Sequence, residues 1–556
     1  MKKILSAALA CALAVTGSAV LFSGCNNTRD ENTLEIRYYV GGFGSEWMDA
    51  AADAFEAANP GVTVNPIPDN EVTGSIRTYL ESGRQLSDLY FTQSFNWQQY
   101  VSQGLIEPLD DLYTQMPIEK TDGTTTTLYE FMSEDRRDVS HITARPGEGT
   151  AHYWMVPWSV QNCGMVYNED IVLNTPRRST GQNWDHAPTT MSELYEYVDD
   201  LNASTLTAED GTKVVAFAFG IQSGQWWLTF PLKVWWAQYQ GVYETSEAAR
   251  NDGHGADATT SDPDEAVYDS YYDFWDFGAP DYDVEEFTKE GGTNVWNQKG
   301  IQVALDTLAS LITDGNGNYI NCLNRANQIS GIDAEREFAN GKAAFIFVGN
   351  WVENEVGVYL EEGETLPIKA MPVPFLDSSA HDAKGNNLGV SAAVNPEDNE
   401  PYLINNNAEM DIIFIPSAAP NKELAKEFLA FIHSEEMLLQ FTMETGVMRP
   451  FDYDPMDAEE MYDFTFSDFA KSSFDLYDNA DFNITEYPMN MGHVAEDERD
   501  GYTSLIYTYI RPELFQGIGS GTCLNGILTK TGAEIMADVV SETNRRYSVW
   551  VNQVHL

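Results

Sequence analysis

Residues 34–64 constrain the fold of this chain more than any other stretch. Residues 34–40 (L-E-I-R-Y-Y-V) alternate like a strand, residues 41–45 (G-G-F-G-S) form a flexible turn, and a helix follows from residue 46 until N-P-G stops it. The next strand begins at V-T-V. A strand, a helix and a second strand in this order predict a parallel sheet. The turn after the first strand then lies at the carboxyl edge, where open α/β sheets bind ligands.

A second unit of the same kind covers residues 85–112. Residues 87–91 (S-D-L-Y-F) predict a short strand, residues 92–96 (T-Q-S-F-N) its exposed edge, and residues 97–103 a helix. The unit closes with G-L-I-E-P-L-D-D-L. Amide side chains at the exposed edge are candidates for contact with hydroxyl groups.

Residues 152–170 predict a chain crossing between two bodies, followed by a buried strand at residues 165–167. Trp158 precedes Gln161 and Asn162, so an aromatic ring lies close to two amides. This combination suits a neutral polyhydroxylated ligand, because the ring covers the apolar face of a sugar while amides donate to and accept from hydroxyls. A core strand whose indole only packs is the alternative that these residues leave open.

Several segments together resemble the family 1 extracellular solute-binding proteins, the maltose-binding-protein-like group that serves ABC importers. They are the Y-N-E-D end of the crossing, the G-L-I-E-P-L-D-D-L segment, A-N-G-K-A-A-F-I-F-V-G-N-W at 339–351, the strand and helix at 410–433, and T-G-V-M-R-P at 445–450. The resemblance implies an α/β, two-lobe, periplasmic-binding-protein-like (type II) fold with hinge crossovers and a central ligand cleft.

The resemblance also implies how the chain divides. Lobe 1 comprises residues 34–157 plus 408–446, and lobe 2 comprises residues 158–407 plus 447–556. The strongly acidic stretch 251–283 is expected to be an insertion in lobe 2.

The family pattern further implies a carbohydrate site without catalytic residues. Trp351 matches the family's tryptophan that reaches the ligand, Trp227 matches the aromatic residue before a T-x-P-L helix, and Gln161 matches the polar residue of the crossing. Core packing is the alternative for each indole. The expected ligand-binding residues are Phe43, Gln93, Asn96, Trp158, Gln161, Trp226, Trp227, Trp351 and Arg449.

No cofactor and no metal site is expected. A calcium loop in the acidic insertion is the alternative that stays open. The oxygen-rich run D-G-N-G-N at 314–318 departs from the EF-hand pattern, because Tyr319 replaces the tight-turn glycine and Arg325 replaces the bidentate glutamate. A turn is predicted there.

The amino terminus looks like a lipoprotein signal. A short basic head, an apolar run to Phe22 and S-G-C at 23–25 predict that residues 1–24 are a signal peptide, that Cys25 is lipidated and that residues 25–33 form a tether. Phe22 departs from the usual leucine. An ordinary signal cut near Ala19 and an uncleaved anchor are the alternatives. No later segment approaches the roughly 20 apolar residues of a membrane span. The signal and the lipid on Cys25 therefore predict that the protein is anchored at the extracellular face of the cell membrane.

The formal net charge of −55 excludes two classes of partner, because such a surface repels nucleic acid and anionic lipid. Beyond Cys11 and Cys25, only Cys163, Cys322 and Cys523 remain, which is no disulfide framework. The expected partners are a carbohydrate ligand, the permease subunits of an ABC importer, and the membrane through the lipid anchor only. The protein is expected to be a monomer.

Three functions compete. The resemblance predicts the substrate-binding component of an ABC importer that captures an oligosaccharide and is not an enzyme. The alternatives are a secreted glycoside hydrolase, for which carboxylates are abundant, and a surface glycan-capture protein. H-E-x-x-H, G-x-S-x-G and C-x-x-C do not occur in the sequence.

Overall fold

The computed structural model of the 556-residue chain describes residues 30–83, 86–93, 95, 97–133, 136–145, 148–222, 225–242, 299–357, 359–360, 365–395, 398–407, 411–484, 526–538 and 541. The strands are β1 Thr33–Tyr38, β2 Thr63–Pro68, β3 Leu89–Thr92, β4 Ile118–Glu119, β5 Thr125–Thr126, β6 His141–Arg145, β7 Glu148–Tyr153, β8 Val156–Pro157, β9 Cys163–Asn168, β10 Pro176–Arg177, β11 Gln182–Asn183, β12 Val215–Ala218, β13 Ala343–Gly349, β14 Ile368–Met371, β15 Ile404–Asn406, β16 Ile412–Phe414 and β17 Phe482–Ile484. The α-helices are α1 Glu46–Ala58, α2 Val72–Ser82, α3 Trp97–Ser102, α4 Asp110–Thr114, α5 Leu128–Phe131, α6 Glu169–Asn174, α7 Met191–Ala203, α8 Thr229–Gln240, α9 Lys299–Ile312, α10 Gly331–Ala339, α11 Val352–Gly357, α12 Lys422–Ile432, α13 Glu435–Thr445, α14 Asp457–Met461 and α15 Asp468–Asp478.

The first body is built on a five-stranded sheet in the order β2-β1-β3-β16-β8. Strands β1, β2 and β3 are parallel, with Leu34 opposite Val64 and Ile36 opposite Leu89. Strand β16, more than 300 residues later, is antiparallel to β3. The strand–helix–strand prediction for residues 34–64 is therefore confirmed.

The second body is built on a four-stranded sheet in the order β12-β13-β9-β14. Strands β12 and β13 are parallel, while β9 is antiparallel to both of its neighbours, β13 and β14. All seven residues of β13 (A-A-F-I-F-V-G) are buried. A continuous apolar run of this kind is typical of a strand that is covered on both faces.

Two chain crossings join the two bodies. The first runs from β8 to β9, and the second runs between β15 and β16. Asn162 and Asn407 pair across them as an isolated antiparallel bridge. The predicted α/β architecture with two lobes and crossovers is thus confirmed.

In the structure, the first body extends beyond residue 446, where the sequence analysis predicts that the chain returns to lobe 2. Side chains of residues 447–466, including Val447, Phe451 and Phe466, belong to the buried core of the first body rather than the second. They cover apolar faces of α12 and α13 that would otherwise meet solvent. Helix α15 lies between the bodies, because Phe474 packs in the first core while the Ser472 hydroxyl accepts a 2.9 Å hydrogen bond from the Ala370 N–H of β14.

The signal peptide, Cys25 and most of the tether, the acidic insertion 251–283, and Cys523 lie outside the described residues. Within the described part, no helix is long and apolar enough to cross a bilayer. Cys163 is buried, and Cys322 is partly buried.

Candidate functional site

Three aromatic residues follow the carboxyl ends of strands in the two sheets. Phe43 closes the 3-10 turn Gly41–Phe43 after β1, Trp227 lies in the 3-10 turn Gln225–Leu228 after β12, and Trp351 follows β13. Because the carboxyl edge is where open α/β sheets bind ligands, this placement gives the candidate site its location.

The Trp351 indole is held by its immediate surroundings. A Cβ at Gly349 would lie 2.1 Å from Cζ3 of the Trp351 ring, so the ring folds directly over a residue without a side chain. The Trp227 and Phe230 ring centroids each lie 6.1 Å from the Trp351 ring, with interplanar angles of 56° and 76°. Trp227 and Trp351 are both 7% exposed. The two indoles form one aromatic wall on the second body.

The first body contacts this wall through the turn Gly41–Phe43. A Cβ at Gly42 would lie 2.7 Å from the Trp351 Cβ. Phe43 is partly buried and packs against core clusters of both bodies. Close by, the Asn354 Nδ2 donates a 2.8 Å hydrogen bond to the Thr445 carbonyl at the end of α13. The wall therefore lies where the two bodies touch.

Carboxyl groups lie beneath and beside the aromatic wall. Glu335 of α10 is completely buried, and Glu355 of α11 is half-buried. Burial and the neighbouring Glu355 raise the pKa of Glu335 well above its usual value. Burial also raises the pKa of Glu353, whose carboxylate accepts a 2.8 Å hydrogen bond from the Ser467 hydroxyl.

The crossings form a hydrogen-bonded hinge, and Gln161 is part of it. The Trp158 N–H donates to the Asp411 carbonyl at 2.7 Å, and the Gln161 N–H donates to Asn407 Oδ1 at 2.7 Å. The Gln161 Nε2 donates to the Asp411 carboxylate at 3.0 Å. Burial raises the pKa of Asp411 to about 6. In this structure Gln161 ties the two crossings together.

Trp158 and Arg449 lie inside the first body, which differs from the ligand-facing positions expected for them. The Trp158 side chain is 4% exposed and packs against Trp47 and Phe441. The Arg449 guanidinium carbon lies 3.3 Å from the ring centroids of both Trp158 and Phe441, and Nη1 donates to the Trp158 carbonyl at 2.6 Å. Contact with two ring faces offsets part of the cost of burying the cation. Burial lowers the pKa of Arg449.

The structure thus brings together Phe43, Trp227 and Trp351 from the predicted set. Gln93 follows β3 at the same sheet edge, where its backbone N–H donates to Thr73 Oγ1 at 3.2 Å. Asn96 and the side chain of Trp226 lie outside the described residues.

The sequence analysis did not identify Gly42, Glu335 and Glu355 as residues that lie at or beside the aromatic wall. The paired glycines before Phe43 indicate a turn, but they do not show what the turn contacts. Nothing local distinguishes Glu335 or Glu355 from the other acids of a chain that contains 86.

No group of three or more histidine, cysteine or acidic side chains in the described part of the chain is arranged to hold a metal ion. The run at 314–318 is a turn, as predicted: Asp314 Oδ1 accepts from the Asn316 and Asn318 N–H groups at 2.8 and 3.1 Å. Its carboxylate is thereby satisfied by the protein.

A separate cavity of about 850 Å³ lies at the opposite edge of the second sheet. Asn168, at the end of β9, and Lys342, just before β13, are among its lining residues. Lys342 is already paired with Asp210 and Glu337 at 3.0 and 2.6 Å. Because this edge faces away from the aromatic wall, the cavity is not part of the candidate site.

Comparisons with known proteins agree with this architecture. A family model described as bacterial extracellular solute-binding protein matches residues 50–454. A sequence comparison with curated proteins finds no match.

Among solved structures, this chain is similar to a chitin oligosaccharide binding protein (14% identity, TM-score 0.54) and to a protein from work on xylan utilization by Caldanaerobius polysaccharolyticus (14%, TM-score 0.52). It is also similar to a maltose-bound MalE3 of T. maritima (15%, TM-score 0.51). Each alignment covers 92% of this chain and 99% of the other. At these identities the likeness shows the fold, which is the predicted two-lobe type II fold. Because the family model covers well over half of the sequence, this chain belongs to the bacterial extracellular solute-binding proteins.

Proposed function

We propose that this protein captures a neutral carbohydrate, an oligosaccharide, between its two bodies and delivers it unchanged to the permease of an ABC importer. The observation that carries the proposal is the wall of Trp227 and Trp351 at the carboxyl edge of one sheet, opposite the turn Gly41–Phe43 of the other. Flat indole faces match the apolar faces of sugar rings, and each stacked ring contributes on the order of 1 kcal/mol beyond the burial of area.

Closure about the paired crossings gives such a site its affinity, because a ligand favours the closed form through contacts that both bodies make at once. Several rings and amides together can reach micromolar affinity, which corresponds to about 8 kcal/mol.

The charge around the wall supports a neutral ligand. The turn Gly41–Phe43 and helix α11 contain no basic residue, and α11 contributes Glu353 and Glu355. An anionic sugar would meet negative charge of the same sign at short range. The proteins named above for chitin oligosaccharide, xylan utilization and maltose support the carbohydrate class.

The proposed location of the protein is the outer face of the cell membrane. The family is extracellular, and the S-G-C sequence at 23–25 supports a lipid on Cys25 that holds the protein at the outer face of the cell membrane. A single acyl chain binds membranes only marginally, so stable anchoring requires more than one.

The test is isothermal titration calorimetry of the purified protein against xylo-, chito- and malto-oligosaccharides of increasing length. One series is expected to bind, and Trp227→Ala is expected to weaken that binding about tenfold or more. Trp154→Ala is the matched control, because Trp154 is an equally buried indole (6% exposed) that packs on the opposite side of the first body. Failure of every series to bind, or the appearance of cleaved products, would refute the proposal.

A further inference from the structure

A buried arginine lies at the centre of the aromatic cluster next to the turn Gly41–Phe43. Arg449 is 1% exposed, and its Cζ lies 3.3 Å from the ring centroids of both Trp158 and Phe441. The Trp47 centroid is 5.6 Å from the same atom and 5.2 Å from the Phe441 centroid. One cation is therefore in contact with three rings that also contact one another.

The stability of the core does not by itself explain this arginine. The Arg449 Nη1 donates to the Trp158 carbonyl at 2.6 Å, but Nε and Nη2 have no hydrogen-bond partner among the described residues. Removing a cation from water is costly, and an apolar side chain of similar volume often gives a core of equal or greater stability. The cluster therefore contains a charge that its packing does not require.

The aromatic cluster reaches the candidate site through Phe441. The Phe441 and Phe43 rings meet edge to face, with centroids 6.3 Å apart and an interplanar angle of 71°. Trp47 is the second residue of α1, which begins shortly after the turn, and its ring meets Phe441 at 83°. Phe441 thus contacts both the buried guanidinium and the aromatic ring that the first body contributes to the site.

The backbone of the turn does little to fix the Phe43 ring. The Phe43 N–H donates to the Val40 carbonyl at 3.3 Å, and the Gly41 N–H donates to Asn70 Oδ1 at 3.4 Å. Both distances exceed the usual range of about 2.7–3.2 Å for hydrogen bonds of this kind. Contacts between the Phe43 ring and neighbouring side chains are therefore expected to determine where the ring lies.

The other contacts of Arg449 anchor it at the hinge. The Trp158 carbonyl that accepts its hydrogen bond belongs to the first crossing, and the Trp158 N–H donates to the Asp411 carbonyl of the second crossing at 2.7 Å. The Arg449 N–H donates to the Tyr453 hydroxyl at 3.0 Å, which fixes the backbone from which the guanidinium extends. The cation therefore joins a well-bonded segment to a ring beside the candidate site.

We propose that Arg449 is a positioning residue for the sugar site, which it does not touch. Anchored at the hinge, it holds Phe441, and Phe441 in turn holds Phe43 where that ring faces the ligand. The inference rests on the proposed function, because the site is the one described there. A guanidinium suits this role, since it is planar, stacks on aromatic faces and donates hydrogen bonds in its own plane at the same time.

Hydrogen–deuterium exchange of the purified, sugar-free protein tests the inference. Arg449→Met replaces the cation by a flexible apolar side chain. The amides of residues 41–45 are expected to exchange about fivefold faster in this variant, because Phe441 no longer holds the turn. Lys426→Met is the matched control, because Lys426 of α12 is also a buried cation of the first body (6% exposed), bound to Asp111 at 2.8 Å. Exchange in the turn should be the same in the control as in the wild type.

The pattern of exchange separates positioning from a general loss of stability. A destabilised first body would exchange faster throughout β1, β2 and β3, whereas a misplaced Phe43 changes only the turn and its neighbours. The proposal is overturned if the turn of Arg449→Met exchanges as in the wild type, or faster only together with the whole body. Should Arg449→Met fail to fold by circular dichroism, Phe441→Leu takes its place with the same expected result, because it removes the ring that contacts both Arg449 and Phe43.

A double-mutant cycle in calorimetry extends the test to the ligand. With the sugar that binds, Arg449→Met is expected to weaken binding about fivefold in the wild-type background. It should have no effect in a protein that already carries Phe43→Ala, because Arg449 acts only through that ring. Equal losses in both backgrounds would overturn the proposal. If the wild type binds no sugar, the proposed function is refuted, and the exchange experiment still decides whether Arg449 positions the turn.

Discussion

Replacement of Trp351 by alanine tests how the indole is placed in the free protein. The ring is 7% exposed and fills the space between Gly349, Trp227 and Phe230. Truncating a buried tryptophan removes its transfer free energy and leaves a cavity, at a cost of about 3–5 kcal/mol. For a body of this size the melting temperature is expected to fall on the order of 10 °C. The ligand-facing position that the family resemblance implies for Trp351 would instead predict almost no change in melting temperature.

Urea denaturation followed by far-ultraviolet circular dichroism measures this loss of unfolding free energy. Trp154→Ala provides the comparison, since it removes an equally buried indole whose Nε1 donates to the Ile142 carbonyl at 2.8 Å in the first body. Both variants should lose stability, but only Trp351→Ala should also lose sugar affinity under conditions where the protein is folded. A loss of less than about 1 kcal/mol for Trp351→Ala, within the range of surface substitutions, would show that the indole is exposed to solvent and would refute the packing described here.

Three further predictions concern single residues. Gly349→Ala should displace the Trp351 ring, because the new methyl group would overlap it. The free energy of unfolding, measured by denaturant titration, should fall by about 1–3 kcal/mol. An unchanged denaturation midpoint would contradict the position of the ring. The Nδ1 atom of His433 lies 2.6 Å from the Leu429 carbonyl, and burial lowers the pKa of this side chain from 6.5 to about 3. The free energy of unfolding should therefore fall as the pH drops from about 6.5 towards about 3, because the unfolded chain then binds a proton that the folded protein does not. His433→Gln should make the free energy of unfolding less dependent on pH in this range. Cys25→Ser should release the protein from cells into the medium, as detected by fractionation, whereas retention of the variant on cells would contradict lipidation.

Local patterns predicted the elements of the fold well. Residues 33–58 fold as the alternating strand, glycine turn and helix that their sequence indicates, because each preference is satisfied within one short segment. For strand β13 the family resemblance at residues 339–351 indicated the element, and its continuous apolar run is typical of a strand that is covered on both faces.

The position of each indole could not be predicted in the same way. Trp158 lies near a break in the chain, as Trp227 does, but its ring faces are covered by Phe441 and by the Arg449 guanidinium, almost 300 residues later. Whether a ring packs in a core or lines a cleft depends on such distant segments. The same reason explains why residues 447–466 were assigned to the wrong lobe: their apolar side chains fit either body, and only the tertiary contacts decide.

The most direct test of ligand capture between the two bodies is hydrogen–deuterium exchange of the purified protein with and without the sugar that binds in calorimetry. The account predicts slower exchange on both sides of the candidate site at once, in the turn Gly41–Phe43 and in the segment from Gly349 to Gly357. Protection confined to one body, or to the cavity near Asn168 and Lys342, would contradict it.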